Sequence, residues 1–104
     1  MWFFGPRVEA IKADEINNQL LKKYQLLDVR TPAEFKSGHI RGAVNHPLAQ
    51  IQLFQGSKDK PILVICQSGM RSRQAAKALL NKGYQVKNVS GGMNAWHGPI
   101  KGGK

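Results

Sequence analysis

Pro61-Ile62-Leu63-Val64-Ile65-Cys66-Gln67-Ser68-Gly69-Met70-Arg71 joins an apolar, β-rich run to a polar, glycine-containing loop and then to a helix. The run Pro61 to Cys66 has the length and the β-branched content of a strand buried on both faces of a parallel sheet. Downstream, Ala75, Ala76, Leu79 and Leu80 share one face of a helix predicted over Ser72 to Lys82. Gly83 ends that helix, and Tyr84 is placed to pack back on Leu79 in a Schellman-type cap. The order strand, loop, helix puts Cys66 where successive backbone N–H groups converge near the positive end of a helix dipole, an arrangement that binds anions. A thiolate is an anion, so the same arrangement lowers a cysteine pKa toward the range of roughly 3.5 to 7.5 seen for activated thiols. Gly69 permits tight or left-handed backbone angles. Arg71, five positions after Cys66, is expected to curl back and offer its planar fork to an oxyanion. Together they describe an activated nucleophile beside an anion clamp. The competing reading of the same residues is a cysteine that merely ends a strand and an arginine that begins a solvated helix.

Working outward, the flanking sequence alternates strand and helix signals. Val8 to Ile11 suits a short strand. The segment opened by Asp14-Glu15-Ile16 has Ile16, Leu20 and Leu21 at helical spacing, acids at its start and Lys22-Lys23 at its end, the charge order a helix dipole favours. Gln25 to Arg30 reads as a buried strand running into Thr31-Pro32-Ala33-Glu34, where Thr31 caps, Pro32 takes the first helical position and Glu34 closes a capping box. Gly38 stops that helix. Ala43-Val44-Asn45 is a candidate strand ended by Pro47, Leu48 to Phe54 a short helix, Gly56 to Lys60 a polar loop and Gln85 to Val89 a last strand. Gly91-Gly92 precedes a final helical turn with Met93 and Trp96. Such alternation implies an α/β domain with a mainly parallel sheet, right-handed crossovers and an active site at the carboxyl ends of the strands.

The chain of 104 residues fits one compact domain, and its 41% apolar content suits a globular protein. Neither the Met1-Trp2-Phe3-Phe4 start nor Pro61 to Cys66 approaches the roughly 20 apolar residues of a membrane span. No signal-peptide pattern is visible in the chain as given, so a cytoplasmic location with no membrane association is expected. A monomer is expected as well. One cysteine excludes an internal disulfide, and the scattered His39, His46 and His97 give no zinc set, so no metal and no cofactor is assigned. The formal charge is +10, unevenly spread. Residues 1–60 carry nine bases and six acids, whereas residues 61–104 carry seven bases and no acid. A solvated basic surface accounts for this, as does an anionic substrate or an acidic partner protein. Nucleic acid is not expected, because the bases are spaced singly without interleaved aromatics.

Four blocks then bear on function together: Leu27-Asp28-Val29-Arg30 with Glu34-Phe35, Gly38-His39-Ile40 with Gly42-Ala43 and Asn45, the loop from Cys66 to Arg71, and Gly91-Gly92 with Trp96. In order and spacing they resemble the rhodanese family over roughly residues 9–98. The resemblance implies a three-layer α/β domain with a central, mainly parallel sheet flanked by helices. It also implies that Cys66 forms a persulfide, that backbone N–H groups from Gln67 to Arg71 hold the transferred sulfur, and that Arg71 steadies an anionic donor. Substrate-binding residues are accordingly Gln67, Ser68, Gly69, Met70 and Arg71, and thiosulfate or a similar sulfane compound is the expected donor. Cyanide, a small thiol and a protein cysteine all fit the acceptor role. Related phosphatases and arsenate reductases place five residues between cysteine and arginine, where this chain places four, and the smaller ring suits a single sulfur atom. A docking or sulfur-relay domain is the other function class. Asp28, Arg30 and His39 are read as scaffold, Trp96 as core, and Ser68 as a hydroxyl near the sulfur. His46 departs from the family, whose members usually carry an apolar residue there.

Overall fold

A computed structural model of the protein describes residues 7–103; the Met1-Trp2-Phe3-Phe4 start lies outside them. Among the described residues, five strands form one sheet: β1 (Glu9–Lys12), β2 (Gln25–Asp28), β3 (Val44–Asn45), β4 (Ile62–Ile65) and β5 (Val86–Ser90). Their order across the sheet is β1-β5-β4-β2-β3, and every neighbouring pair is parallel. Leu27 lies level with Val64 on one side and Val44 on the other, while Ile62 pairs with Val86. The central position of β4 explains its composition. All four of its residues are buried, alternate ones facing opposite ways.

Ile62 and Val64 join Leu27 and Val29 against Ala75, Ala76 and Leu79 of α3 (Met70–Asn81), with Ile51 of a 3₁₀ segment at Leu48–Leu53 and Phe54, which caps its end. Leu63 and Ile65 join Leu26 and Val89 on the other face. There they meet Ala13 and Ile16, with Leu20 and Leu21 of α1 (Asn18–Lys23) and Met93 and Trp96 packed alongside. Two apolar layers around one sheet make the three-layer α/β arrangement, and each fully buried large aliphatic stabilises it by roughly 1.5–3 kcal/mol. The short helix α2 (Pro32–Ser37) leaves the carboxyl end of β2. It starts as its sequence dictates: the Thr31 hydroxyl accepts from Glu34 N–H, and Glu34 accepts from Thr31 N–H.

Three boundaries differ from the sequence reading. The Asp14–Lys23 segment is not one helix. Ile16 is extended and the Asn17 side chain caps a fresh start by accepting from Leu20 N–H, so Asp14 and Glu15 belong to a separate 3₁₀ turn at Ala13–Glu15. Leu48–Leu53 is 3₁₀ with a non-helical Gln50 in its middle. The helix after the cysteine loop begins at Met70, not Ser72, because Gly69 occupies the cap position with φ +104°, a conformation open to glycine. The Schellman-type ending holds: Tyr84 N–H donates to Leu79 C=O at 3.1 Å. Among the described residues, no helix is long and apolar enough to cross a membrane.

Candidate active site

Cys66 follows the last residue of β4 and lies buried at the carboxyl edge of the sheet, three residues before the cap of α3. Gly69 N–H donates to its Sγ at 3.0 Å. Burial is the largest single influence on the thiol and pushes its pKa up, yet the balance runs the other way. Hydrogen bonds from the Ser72 hydroxyl and from the backbone N–H groups of Ser72, Gly69 and Ser68 outweigh it, and the pKa lies below the ordinary thiol value. Of the N–H groups expected from Gln67 to Arg71, those of Gly69 and Ser68 act on the sulfur, and Ser72, outside that stretch, joins them.

Three neighbours fix the loop's shape. The 3₁₀ turn Gly92–Ala95 lies against it, with Met93 N–H donating to Cys66 C=O at 2.8 Å and Asn94 N–H to Gln67 C=O at 2.9 Å. Gly92 allows that approach, since a Cβ there would lie 2.3 Å from the Cys66 carbonyl oxygen. On the opposite flank, Asp28 and Arg30 form a buried pair at 2.8 Å. Arg30 extends the pair by donating to Gly38 C=O at 2.7 Å and to Gln67 Oε1 at 3.3 Å. Gln67 also donates to Asn94 Oδ1 at 2.7 Å, so its side chain is braced from both sides. Beneath the loop, Asn88 of β5 donates to Gly69 C=O at 3.2 Å and its Oδ1 accepts from the Ser72 hydroxyl. The Ser72 hydroxyl, which carries one hydrogen, thus has the Asn88 oxygen, the Gly69 carbonyl at 3.2 Å and the cysteine sulfur within its reach.

The sequence and fold that carry this site have known counterparts. Residues 12–99 match the family described as the rhodanese-like domain. The chain belongs to that family. Among relatives of this rhodanese-like chain, thiosulfate sulfurtransferase 16, a chloroplast enzyme of Arabidopsis thaliana, is 41% identical, with 84% of this chain and 85% of the relative covered. The uncharacterised YqhL protein of Bacillus subtilis is 43% identical over 77% of this chain, which spans 66% of that protein's length. A solved rhodanese-like domain protein from Staphylococcus aureus superposes with a TM-score of 0.82 at 32% identity, covering 93% of this chain and all of that one.

Within the rhodanese-like framework, the expected site residues take distinct places. Ser68 and Met70 stand exposed at the rim, Met70 at 76%, while Gly69 is buried beneath the sulfur. Arg71 lies in the first turn of α3, and its fork meets a carboxylate of the protein itself. Nη1 and Nη2 donate to Glu34 Oε1 and Oε2 at 2.7 and 3.0 Å. That pairing, assisted by Thr31, holds the Glu34 carboxyl at about 2 and raises Arg71 further above its ordinary value. His39 stacks on Phe35 and bonds Phe35 C=O at 2.8 Å, and Trp96 packs into the apolar layer with its N–H on Pro99 C=O, so both serve the fold. His46 bonds Gln50 C=O and meets the edge of Phe54, which accommodates a polar ring at that position.

Sequence reasoning missed Ser72, Asn88 and the link from Glu34 to Arg71. A signal existed for Asn88, a polar residue that period-two alternation places on the same strand face as Val86, a buried position. For Ser72 it was concealed by the predicted helix boundary. An open hollow of about 370 Å³ beside the loop is lined by Arg30, Gly38, Gln67, Met93 and Trp96, among others.

Proposed function

We propose that this chain is a sulfurtransferase that carries sulfane sulfur on Cys66 as a persulfide. In the first half-reaction the Cys66 thiolate attacks the outer sulfur of thiosulfate; the new S–S bond forms as the old one breaks, and sulfite leaves with the electron pair. In the second, a thiophilic acceptor attacks the outer persulfide sulfur and restores the thiolate; with cyanide the product is thiocyanate. The observation carrying this reading is the Cys66 sulfur held by the Gly69 N–H, with its pKa lowered despite burial. The N–H groups that favour a thiolate also favour the terminal persulfide anion. Four residues between Cys66 and Arg71 keep the ring small, which favours sulfur over a tetrahedral phosphate. Family membership and the sulfurtransferase name of the Arabidopsis relative support the same chemistry.

For a macromolecular acceptor, the partner class the charge supports is an acidic protein, since residues 61–104 carry no carboxylate. Thiocyanate formation from thiosulfate and cyanide tests turnover. Wild-type protein forms it, and Cys66→Ser does not. Persulfide formation without thiocyanate release would favour the relay module, and neither would favour docking.

A further inference from the structure

The fork expected to receive a donor's oxyanion already holds one. Both terminal nitrogens of Arg71 are engaged by Glu34 in a two-pronged pair at 2.7 and 3.0 Å. Glu34 is not a loosely placed surface acid. Its Oε1 also accepts from the Thr31 N–H at 3.0 Å and the Thr31 hydroxyl at 3.2 Å, which fixes the carboxylate at the start of α2. The remaining charges around Arg71 sharpen the picture. It senses the charges of Cys66 and Asp28 besides that of Glu34, but the Asp28 carboxylate is committed to Arg30 through both oxygens. The two partners are each about a third exposed, so the pair faces solvent at the loop's rim where an incoming anion can contest it.

We propose that Glu34 is the residue that sets this site's discrimination against anionic donors: it is an internal competitor that an oxyanion must displace to gain the two-pronged grip of both Arg71 terminal nitrogens. The inference rests on the sulfur-transfer reading for its biological meaning but not for its test. A donor bearing an oxyanion trades one charge-assisted pair for another, so Arg71 adds less affinity than a free guanidinium would. A neutral sulfane donor leaves the pair undisturbed. The site as folded therefore narrows the advantage of small anionic donors, and loss of the Glu34 charge widens it.

The replacement Glu34→Gln keeps a carbonyl oxygen for the Thr31 N–H, preserving the capping box while removing the charge that holds Arg71. Alkylation of Cys66 by iodoacetate and by iodoacetamide separates anion recognition from thiol reactivity, because both reagents consume the same thiolate and only one carries a carboxylate. The iodoacetate-to-iodoacetamide rate ratio should rise about tenfold in Glu34→Gln, as release of a charge-assisted hydrogen bond allows. In an Arg71→Ala background the same replacement should change the ratio little. An unchanged ratio in the single variant overturns the proposal, and so does an equal rise with and without Arg71, which would make Glu34 only a general source of negative potential. Persulfide formation from a thiosulfate series, read by mass on the same proteins, should give a lower half-saturating concentration in Glu34→Gln. If wild-type protein takes up no sulfur while the alkylation ratio shifts as expected, the sulfur-transfer reading fails and the competition at Arg71 stands.

Discussion

Replacing Gly92 by alanine tests whether the turn after β5 holds the cysteine loop in shape. The new Cβ would lie 2.3 Å from the Cys66 carbonyl oxygen and 2.8 Å from that of Gln67, against an ordinary contact of 3.4 Å or more. Both are backbone atoms, so no side chain can swing aside; the turn and the loop must part. Two hydrogen bonds cross that seam, Met93 N–H to Cys66 C=O and Asn94 N–H to Gln67 C=O. Their weakening costs roughly 1 kcal/mol each. Alanine at a φ of +54° adds strain of roughly 1–2 kcal/mol. The expected loss is therefore about 3–4 kcal/mol, a large share of the 5–15 kcal/mol typical of a domain. Gly42→Ala is the control: its φ is +93°, but nothing lies within 4 Å of the added Cβ, so only the strain is incurred. Urea unfolding should place the Gly92→Ala midpoint below that of Gly42→Ala by about 1 M. In protein that remains folded, iodoacetamide should alkylate Cys66 at an altered rate, and sulfur uptake should fall by on the order of a hundredfold, since about 1 Å of misplacement has that effect. Equal stabilities for the two variants, with full sulfur uptake in Gly92→Ala, would refute the reasoning.

Two other perturbations have definite signs. Ser72→Ala removes a hydroxyl that lowers the Cys66 pKa while leaving the Ser72 backbone N–H in place, so the midpoint of the pH–alkylation profile should move upward. An unmoved midpoint would mean that the Ser72 hydroxyl serves only Asn88 and Gly69. Glu34 titrates at about 2 in the folded protein against an ordinary 4.5, so its contribution to stability is present above 4.5 and is lost as the pH falls toward 2. Because the pair is about a third exposed, screening limits that contribution to about 1 kcal/mol or less; Glu34→Gln should lack this part of the acid dependence in pH-jump unfolding, and an unchanged profile would contradict it.

What the sequence disclosed follows from how local each cause is. The run Ile62 to Ile65 announces a doubly covered strand because burial on both faces leaves no polar alternation. Thr31, Pro32 and Glu34 announce a helix start because capping is settled within four residues. The cysteine loop reads as an anion cradle for the same reason, and the Gly69 N–H on the sulfur is the contact that corresponds to it. Glu34 shows the limit. Its capping role is local, but its grip on Arg71 spans 37 positions and depends on α2 and α3 both starting at the carboxyl edge of the sheet. Gly69 hid the true start of α3, because a left-handed glycine replaces the usual side-chain cap, and with it hid Ser72 as a neighbour of the sulfur. Gly91-Gly92 was recognised as a pattern, whereas its cause, the backbone approach to the Cys66 carbonyl, needs the tertiary structure.

The central claim is that Cys66 carries sulfur, and intact-protein mass spectrometry after incubation with thiosulfate tests it most directly. The wild-type mass should rise by about 32 Da, one sulfur atom bound covalently to a single thiolate, and cyanide should return it to its starting value. Cys66→Ser should show neither change. An unchanged wild-type mass under excess donor, with Cys66 verified as free and reduced, would contradict the account.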